Sequence, residues 1–178
     1  MTSSKLNQMK QSGSFKLGVL VAVALLLAAI FFYQSLGGKQ AAPKLDFTNI
    51  RGEKISQQTL QGKVYMVNFW ATSCATCIKE MPQMIASYEK FRAQGLEFVA
   101  VAMSYDPPNY VLNFTETRQL PFQVVLDLEG KIAQAFGDVR LTPTTFVIDK
   151  QGNIIKRYVG EPSFDELNQL LAKELAKT

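Results

Sequence analysis

Long apolar runs separated by mixed, turn-rich segments predict most of the elements of this 178-residue chain. The longest run, residues 17–38, holds 22 uncharged residues between two lysines. Two shorter runs, residues 64–70 and 96–103, are almost continuously apolar, as expected of strands buried on both faces of a sheet. The pattern therefore predicts an apolar N-terminal helix followed by a domain built around a buried sheet.

The remaining segments predict an α/β domain in which strands and helices alternate. The predicted strands cover residues 44–50, 64–70, 96–103, 122–126, 144–149 and 154–159. The predicted helices run from the two cysteines to about residue 93, where Pro82 should introduce a kink, and over residues 107–118, 131–136 and 163–177. A tight turn joins the last two strands into an antiparallel hairpin, so we expect three layers around a mixed sheet.

The N-terminal run is long enough to cross a bilayer, since a transmembrane helix needs about 17 to 25 residues. Phe31, Phe32 and Tyr33 cluster at one end of it, where an aromatic belt would lie. The leader before it carries three lysines and no acidic residue, so the positive-inside tendency keeps it in the cytoplasm. The predicted parts are a cytoplasmic leader (1–16), a transmembrane anchor (17–38), a linker (39–43) and an exported domain (44–178).

Two alternatives to an anchor stay open. A cleaved signal peptide has an apolar core of about 7 to 15 residues, which is shorter than this run, but Ser35-Leu36-Gly37 is a tolerable cleavage site. A buried core helix is the other alternative. With the anchor retained, the chain is a single-pass protein of the bacterial inner membrane whose domain faces the periplasm, where disulfides persist.

Charge and composition exclude several classes of function. Four of the 19 basic residues precede Gln40, and the remaining 15 equal the 15 acidic residues, so the domain offers no basic surface for nucleic acid. The chain contains no histidine. This excludes Ser-His and Cys-His nucleophile pairs, histidine-ligated metals and, because Ile78 follows Cys77, a c-type haem attachment site.

The only two cysteines, Cys74 and Cys77, lie in the segment 68–82, NFWATSCATCIKEMP. As a structural staple, so short a loop would contribute only about 2 kcal/mol, against about 4.7 kcal/mol for a loop of a hundred residues. Zinc needs about four ligands, and two cysteines supply half of them. Neither structural role fits the spacing well, so we predict no metal site and consider a redox role instead.

The two cysteines follow a buried strand and open a helix. Unpaired backbone N–H groups and the helix dipole at that end favour a thiolate. In the predicted geometry Cys74 is exposed and Cys77 turns inward. Attack by Cys74 on a substrate disulfide, followed by attack of Cys77 on the mixed disulfide, is thiol–disulfide exchange.

Segment 68–82 resembles the active-site segment of the TlpA/ResA-like branch of the thioredoxin superfamily. Segment 141–149, LTPTTFVID, resembles the segment that carries the family's cis-proline, and the resemblance covers roughly residues 43–178. It implies a thioredoxin-like fold with a mixed central sheet flanked by helices. It also implies a membrane-anchored, extracytoplasmic thiol–disulfide oxidoreductase that uses a redox-active disulfide and no cofactor.

The resemblance assigns roles to further residues. It implies a cis bond before Pro143 and a Thr142 backbone that pairs with an extended substrate, whereas spacing alone predicts a trans strand-start proline. Glu80 lies on the helical face of Cys77 and is expected to take its proton, unless it is a solvated helix residue. Trp70 either packs against the active-site loop and helps to bind substrate or belongs to the core.

Asn68 stands where ordinary thioredoxins carry a buried aspartate, which leaves proton handling to Glu80. Lys79 is expected at the surface.

The family implies a reductase of exported disulfide-bearing proteins, either apocytochrome c or copper-site proteins of respiratory oxidases. A membrane thiol transporter of the DsbD/CcdA kind would donate the electrons. A DsbA-like oxidant shares the chemistry with the opposite redox poise. A peroxiredoxin-like peroxidase is disfavoured because Ala71 and Val67 occupy its signature positions, and a copper-binding module is disfavoured because it would use histidine.

Overall fold

The computed structural model describes residues 17–31 and 40–177, and residues 17–31 form helix α1. No helix within these two ranges is both long enough and apolar enough to cross a bilayer. The predicted leader 1–16 and the part of the predicted anchor over 32–38 lie outside the described residues. The transmembrane anchor therefore stays a prediction.

The compact domain begins at Gln40. Residues predicted as linker extend the C-terminal hairpin through backbone hydrogen bonds. Ile154 N donates to Gln40 O over 2.7 Å, and Ala42 N donates to Gly152 O over 2.8 Å. Ala41 forms an antiparallel bridge with Asn153 between them. These bonds fix the segment against the sheet.

The described domain contains seven strands. In chain order they are β1 (Phe47–Thr48), β2 (Lys54–Ile55), β3 (Tyr65–Trp70), β4 (Glu97–Ala102), β5 (Gln123–Leu126), β6 (Thr144–Ile148) and β7 (Ile154–Val159). The first two pair with each other, and the other five form a sheet in the order β5-β4-β3-β6-β7. β3 and β5 run parallel to β4, whereas β6 runs antiparallel to β3 and β7, which confirms the predicted mixed sheet.

Helices flank this sheet. They are α2 (Gln57–Leu60), α3 (Ala75–Phe91), α4 (Pro108–Arg118), α5 (Lys131–Ala135) and α6 (Phe164–Leu175). Helix α3 continues through Pro82, and a short 3₁₀ turn (Arg92–Gln94) follows it before Gly95, whose φ of 95° favours glycine. Ser163 caps α6 by accepting a hydrogen bond from Glu166 N, as the predicted cap requires.

The core lies on both faces of β3, all six residues of which are buried. Met66 and Trp70 pack on the face that carries α3 and α6, and Val67 and Phe69 pack on the opposite face. Alternate residues of a strand point to opposite faces, so Asn68 lies on the α3 side. The end of β3 thus delivers the cysteine segment directly to the start of α3.

Candidate active site

The centre of the site is a disulfide between Cys74 and Cys77, whose Cα atoms are 5.2 Å apart. Cys74 is the N-cap of α3, and its Sγ accepts a hydrogen bond from Cys77 N over 3.2 Å. Cys74 is half-buried, whereas Cys77 is completely buried. The structure therefore confirms the predicted asymmetry, with the sulfur of Cys74 placed at a helix N-terminus that stabilises a thiolate.

The cis-proline segment reaches the same end of the sheet. The Thr142–Pro143 peptide bond is cis, as the family resemblance implies. Thr144, the first residue of β6, lies opposite Phe69 in β3, so Thr142 and Pro143 lie level with the segment that follows β3 and leads to Cys74. Thr142 is half-buried, and Tyr105 lies beside it, with 3.3 Å between the two hydroxyl oxygens.

A buried polar cluster joins α3 to the central sheet. Glu80, one turn after Cys77 on the same face of α3, is only 1% exposed. Asn68 Nδ2 donates to Glu80 Oε1 over 3.2 Å and to Thr145 Oγ1 over 2.9 Å. The other carboxyl oxygen, Glu80 Oε2, has no hydrogen-bond partner among the described residues. Glu80 is therefore not a solvated helix residue, which settles that alternative.

Burial changes the acidity of this carboxyl group. Desolvation raises the pKa of Glu80 to about 8, against 4.5 for the ordinary side chain. The hydrogen bond from Asn68 lowers this pKa, and the negative charge of Glu161 raises it. Glu161 is itself paired with Lys79 over 2.7 Å, and Lys79 lies at the surface as predicted. The site thus holds an acid–base group that titrates near neutral pH.

Trp70 requires a correction. The sequence places it among the substrate-binding residues or in the core, and the structure places it in the core, completely buried. Its ring lies 5.3 Å from that of Phe114 on α4. Its side chain has no exposed surface and packs in the same core cluster as Cys77.

Sequence reasoning missed two residues that hold the site. Thr145 accepts a hydrogen bond from Asn68, and Asp106 accepts two from Thr72, which is two residues before Cys74. Both partners are distant along the chain, and no local motif marks them. Among the described residues, no group of three or more His, Cys, Asp or Glu side chains is placed to hold a metal ion.

Comparison with known proteins gives a consistent result. The sequence profile of the Redoxin family matches residues 38–171. The thiol-disulfide oxidoreductase ResA of Bacillus thuringiensis subsp. konkukian is 37% identical over 136 residues, which cover 76% of this chain and 77% of that protein. ResA of Bacillus subtilis is 33% identical over 149 residues, which cover 80% and 82% of the two chains.

Solved structures agree with these relatives. A crystal structure of a thiol:disulfide interchange protein of the thioredoxin family from Chlorobium tepidum superposes with a TM-score of 0.72 at 28% identity. The superposition covers 79% of this chain and 99% of that one.

Proposed function

Since this chain belongs to the TlpA/ResA-like proteins of the thioredoxin superfamily and is a thiol-disulfide oxidoreductase, we propose that it reduces disulfides of specific exported proteins. The observation that carries the proposal is the pairing of a half-exposed Cys74 with a fully buried Cys77 at the N-terminus of α3. In this arrangement the Cys74 sulfur is accessible to a substrate, whereas the Cys77 sulfur is buried.

The reaction moves two electrons from the enzyme to its substrate. In the reduced enzyme, the Cys74 thiolate attacks one sulfur of the substrate disulfide, forming a mixed disulfide and releasing the other substrate sulfur as a thiolate. Cys77 then attacks the Cys74 sulfur, and the second substrate sulfur leaves as a thiolate. Both substrate thiolates take up protons, and the enzyme is left with the Cys74–Cys77 disulfide seen in the structure.

Cys77 has to lose its proton before it can attack, and Glu80 is suited to accept it. An unperturbed thiol has a pKa of about 8.5, close to the value of about 8 for Glu80. Transfer from an unperturbed thiol to a carboxylate of ordinary pKa would cost about 5 kcal/mol, and the raised pKa of Glu80 reduces this cost. The unpartnered oxygen Oε2 provides an acceptor atom for this proton.

The proposed direction is reduction. Oxidants such as DsbA are strong because their reduced form is stabilised. Here the buried Glu80 lies one helical turn after Cys77, and the neighbouring cation, Lys79, is paired with Glu161. Once Glu80 is ionised, above its pKa of about 8, its negative charge disfavours a nearby thiolate, which favours the disulfide and makes the dithiol a better reductant.

The proposed setting is the periplasmic side of the bacterial inner membrane. It is supported by the lysine-containing leader and the uncharged run 17–38 in the sequence. The proposed substrates are apocytochrome c or copper-site proteins of respiratory oxidases. The proposed electron donor is a membrane thiol transporter of the DsbD/CcdA kind.

A trapping experiment tests the chemistry. We expect the reduced Cys77→Ser protein, mixed with an oxidised C-x-x-C-H peptide, to accumulate a mixed disulfide at Cys74 that intact-mass spectrometry detects. The Cys74→Ser protein is the matched control and should capture far less peptide, because Cys77 is buried. Equal capture by both variants, or by neither, would contradict the assigned roles of the two cysteines.

A further inference from the structure

A buried carboxylate holds the segment that leads into the reactive cysteine. Asp106, in the loop between β4 and α4, is only 3% exposed. Its Oδ2 accepts a hydrogen bond from Thr72 N over 2.6 Å, and its Oδ1 accepts one from Thr72 Oγ1 over 2.5 Å. Both oxygens of the Asp106 carboxylate thus accept hydrogen bonds from a single residue, Thr72, which lies two positions before Cys74.

The loop that carries Asp106 is itself fixed to the sheet. Met103 N donates to Trp70 O over 3.0 Å, and Asp106 N donates to Met103 O over 2.9 Å, which closes a tight turn. Pro107 and Pro108 follow and begin α4, and proline restricts the backbone at both positions. The carboxylate therefore has a position that does not depend on the cysteine helix.

The same loop also reaches the cis-proline segment. Tyr105, next to Asp106, lies within hydrogen-bond distance of Thr142 through its hydroxyl group, at 3.3 Å. Residues 103–106 therefore touch both the segment that leads to Cys74 and the cis-proline segment.

We propose that Asp106 is a positioning residue for thiol–disulfide exchange: through Thr72 it fixes the orientation in which Cys74 is presented to the substrate. This inference rests on the proposed function of the cysteine pair. Hydrogen bonds to an ionised acceptor are roughly twice as strong as neutral ones. A displacement of about 1 Å at a reacting atom is enough to slow a reaction by up to about a hundredfold.

The variants separate positioning from folding. Thr72→Val removes the hydroxyl bond and keeps the backbone bond, Thr72→Ser keeps both, and Asp106→Asn removes the charge and one acceptor. Asp127→Asn is a matched control, because Asp127 follows β5 as Asp106 follows β4 and is 4% exposed. It likewise accepts two bonds, from Ile132 N over 3.0 Å and from Ala133 N over 2.8 Å, but at the start of α5.

Two quantities are measured for each full-length variant: the urea midpoint, and the rate at which the reduced protein reacts with the oxidised C-x-x-C-H peptide. We expect Thr72→Val and Asp106→Asn to react about tenfold more slowly than the parent. Thr72→Ser should retain the parent rate, and Asp127→Asn should lose stability while it keeps the parent rate.

The inference is overturned if Thr72→Val reacts at the parent rate, or if Asp127→Asn slows the reaction as much as Asp106→Asn. Should Asp106→Asn fail to fold, Thr72→Val and Thr72→Ser decide the question. Failure of the proposed function has a different signature, because the parent protein itself would then not react with the peptide, or Cys74→Ser would react equally well.

Discussion

Replacing Glu80 by glutamine should remove most of the pH dependence of stability between weakly acidic and alkaline solution. The native carboxyl group is 1% exposed and has a pKa of about 8, against 4.5 in the unfolded chain. Between these values the native protein binds a proton that the unfolded chain has lost. Stability therefore falls as pH rises through this window. Below 4.5 and above 8 this group adds no further pH dependence to stability.

The magnitude follows from the two pKa values. One unit corresponds to about 1.36 kcal/mol, so a shift from 4.5 to about 8 amounts to about 5 kcal/mol over the whole window. Between pH 5 and pH 9 the parent should lose about 4 kcal/mol of unfolding free energy that the neutral glutamine of the Glu80→Gln variant does not lose.

Urea unfolding of the oxidised protein at intervals from pH 5 to pH 9 measures this effect. Because the cysteines form a disulfide, no thiol titrates in this range. Tyrosine ordinarily has a pKa of 10, and burial raises the pKa of three tyrosines further, so they ionise above the window: Tyr65, Tyr88 and Tyr158. Glu89→Gln, an exposed position on the same helix, is the control and should follow the parent curve. Parallel curves for the parent and Glu80→Gln would refute the argument that burial raises this pKa.

Two further predictions concern the redox poise and the core. A reductase should equilibrate with glutathione at a potential near that of thioredoxin, about −270 mV, and a value near about −120 mV would make the protein an oxidant instead. Phe98→Ala should cost about 3 to 5 kcal/mol in urea unfolding, because the buried Phe98 ring lies 4.1 Å from that of Phe122. Tyr110→Ala at an exposed position should change stability little, and equal losses would show that Phe98 is not a packed core residue.

The central sheet was predictable because its strands are buried on both faces. β3 lies between β4 and β6 and has core clusters on either side, so its sequence is almost continuously apolar. The cysteine pair was predictable for a different reason. Its chemistry depends on four consecutive residues at the end of a strand, and the helix that follows gives Glu80 its position by local geometry alone.

β1 falls within the predicted strand 44–50, but its partner β2 was not predicted, because the pair depends on contacts from distant parts of the chain. The pair β1–β2 encloses a turn in which Asn49 Oδ1 accepts hydrogen bonds from Arg51 N and Glu53 N. Asn49 Nδ2 in turn donates to Gln123, 74 positions away. Such a short pair has little stability alone, and the two residues of β2 are too few to carry a strand pattern.

The raised pKa of Glu80 could not be predicted from the local sequence alone. Spacing places Glu80 on the face of Cys77, but a helix residue with the same spacing and an exposed carboxyl group would keep its ordinary pKa. The shift arises because β3 and β6 bury that face of α3, and the register of these strands brings Thr145 opposite Asn68. A Thr145→Val change leaves the CxxC sequence untouched. It removes a hydrogen-bond acceptor from Asn68 and therefore affects Glu80 only indirectly, through Asn68. The raised pKa of Glu80, on which the proposed proton exchange with Cys77 depends, is thus a property of the packed sheet and not of the motif.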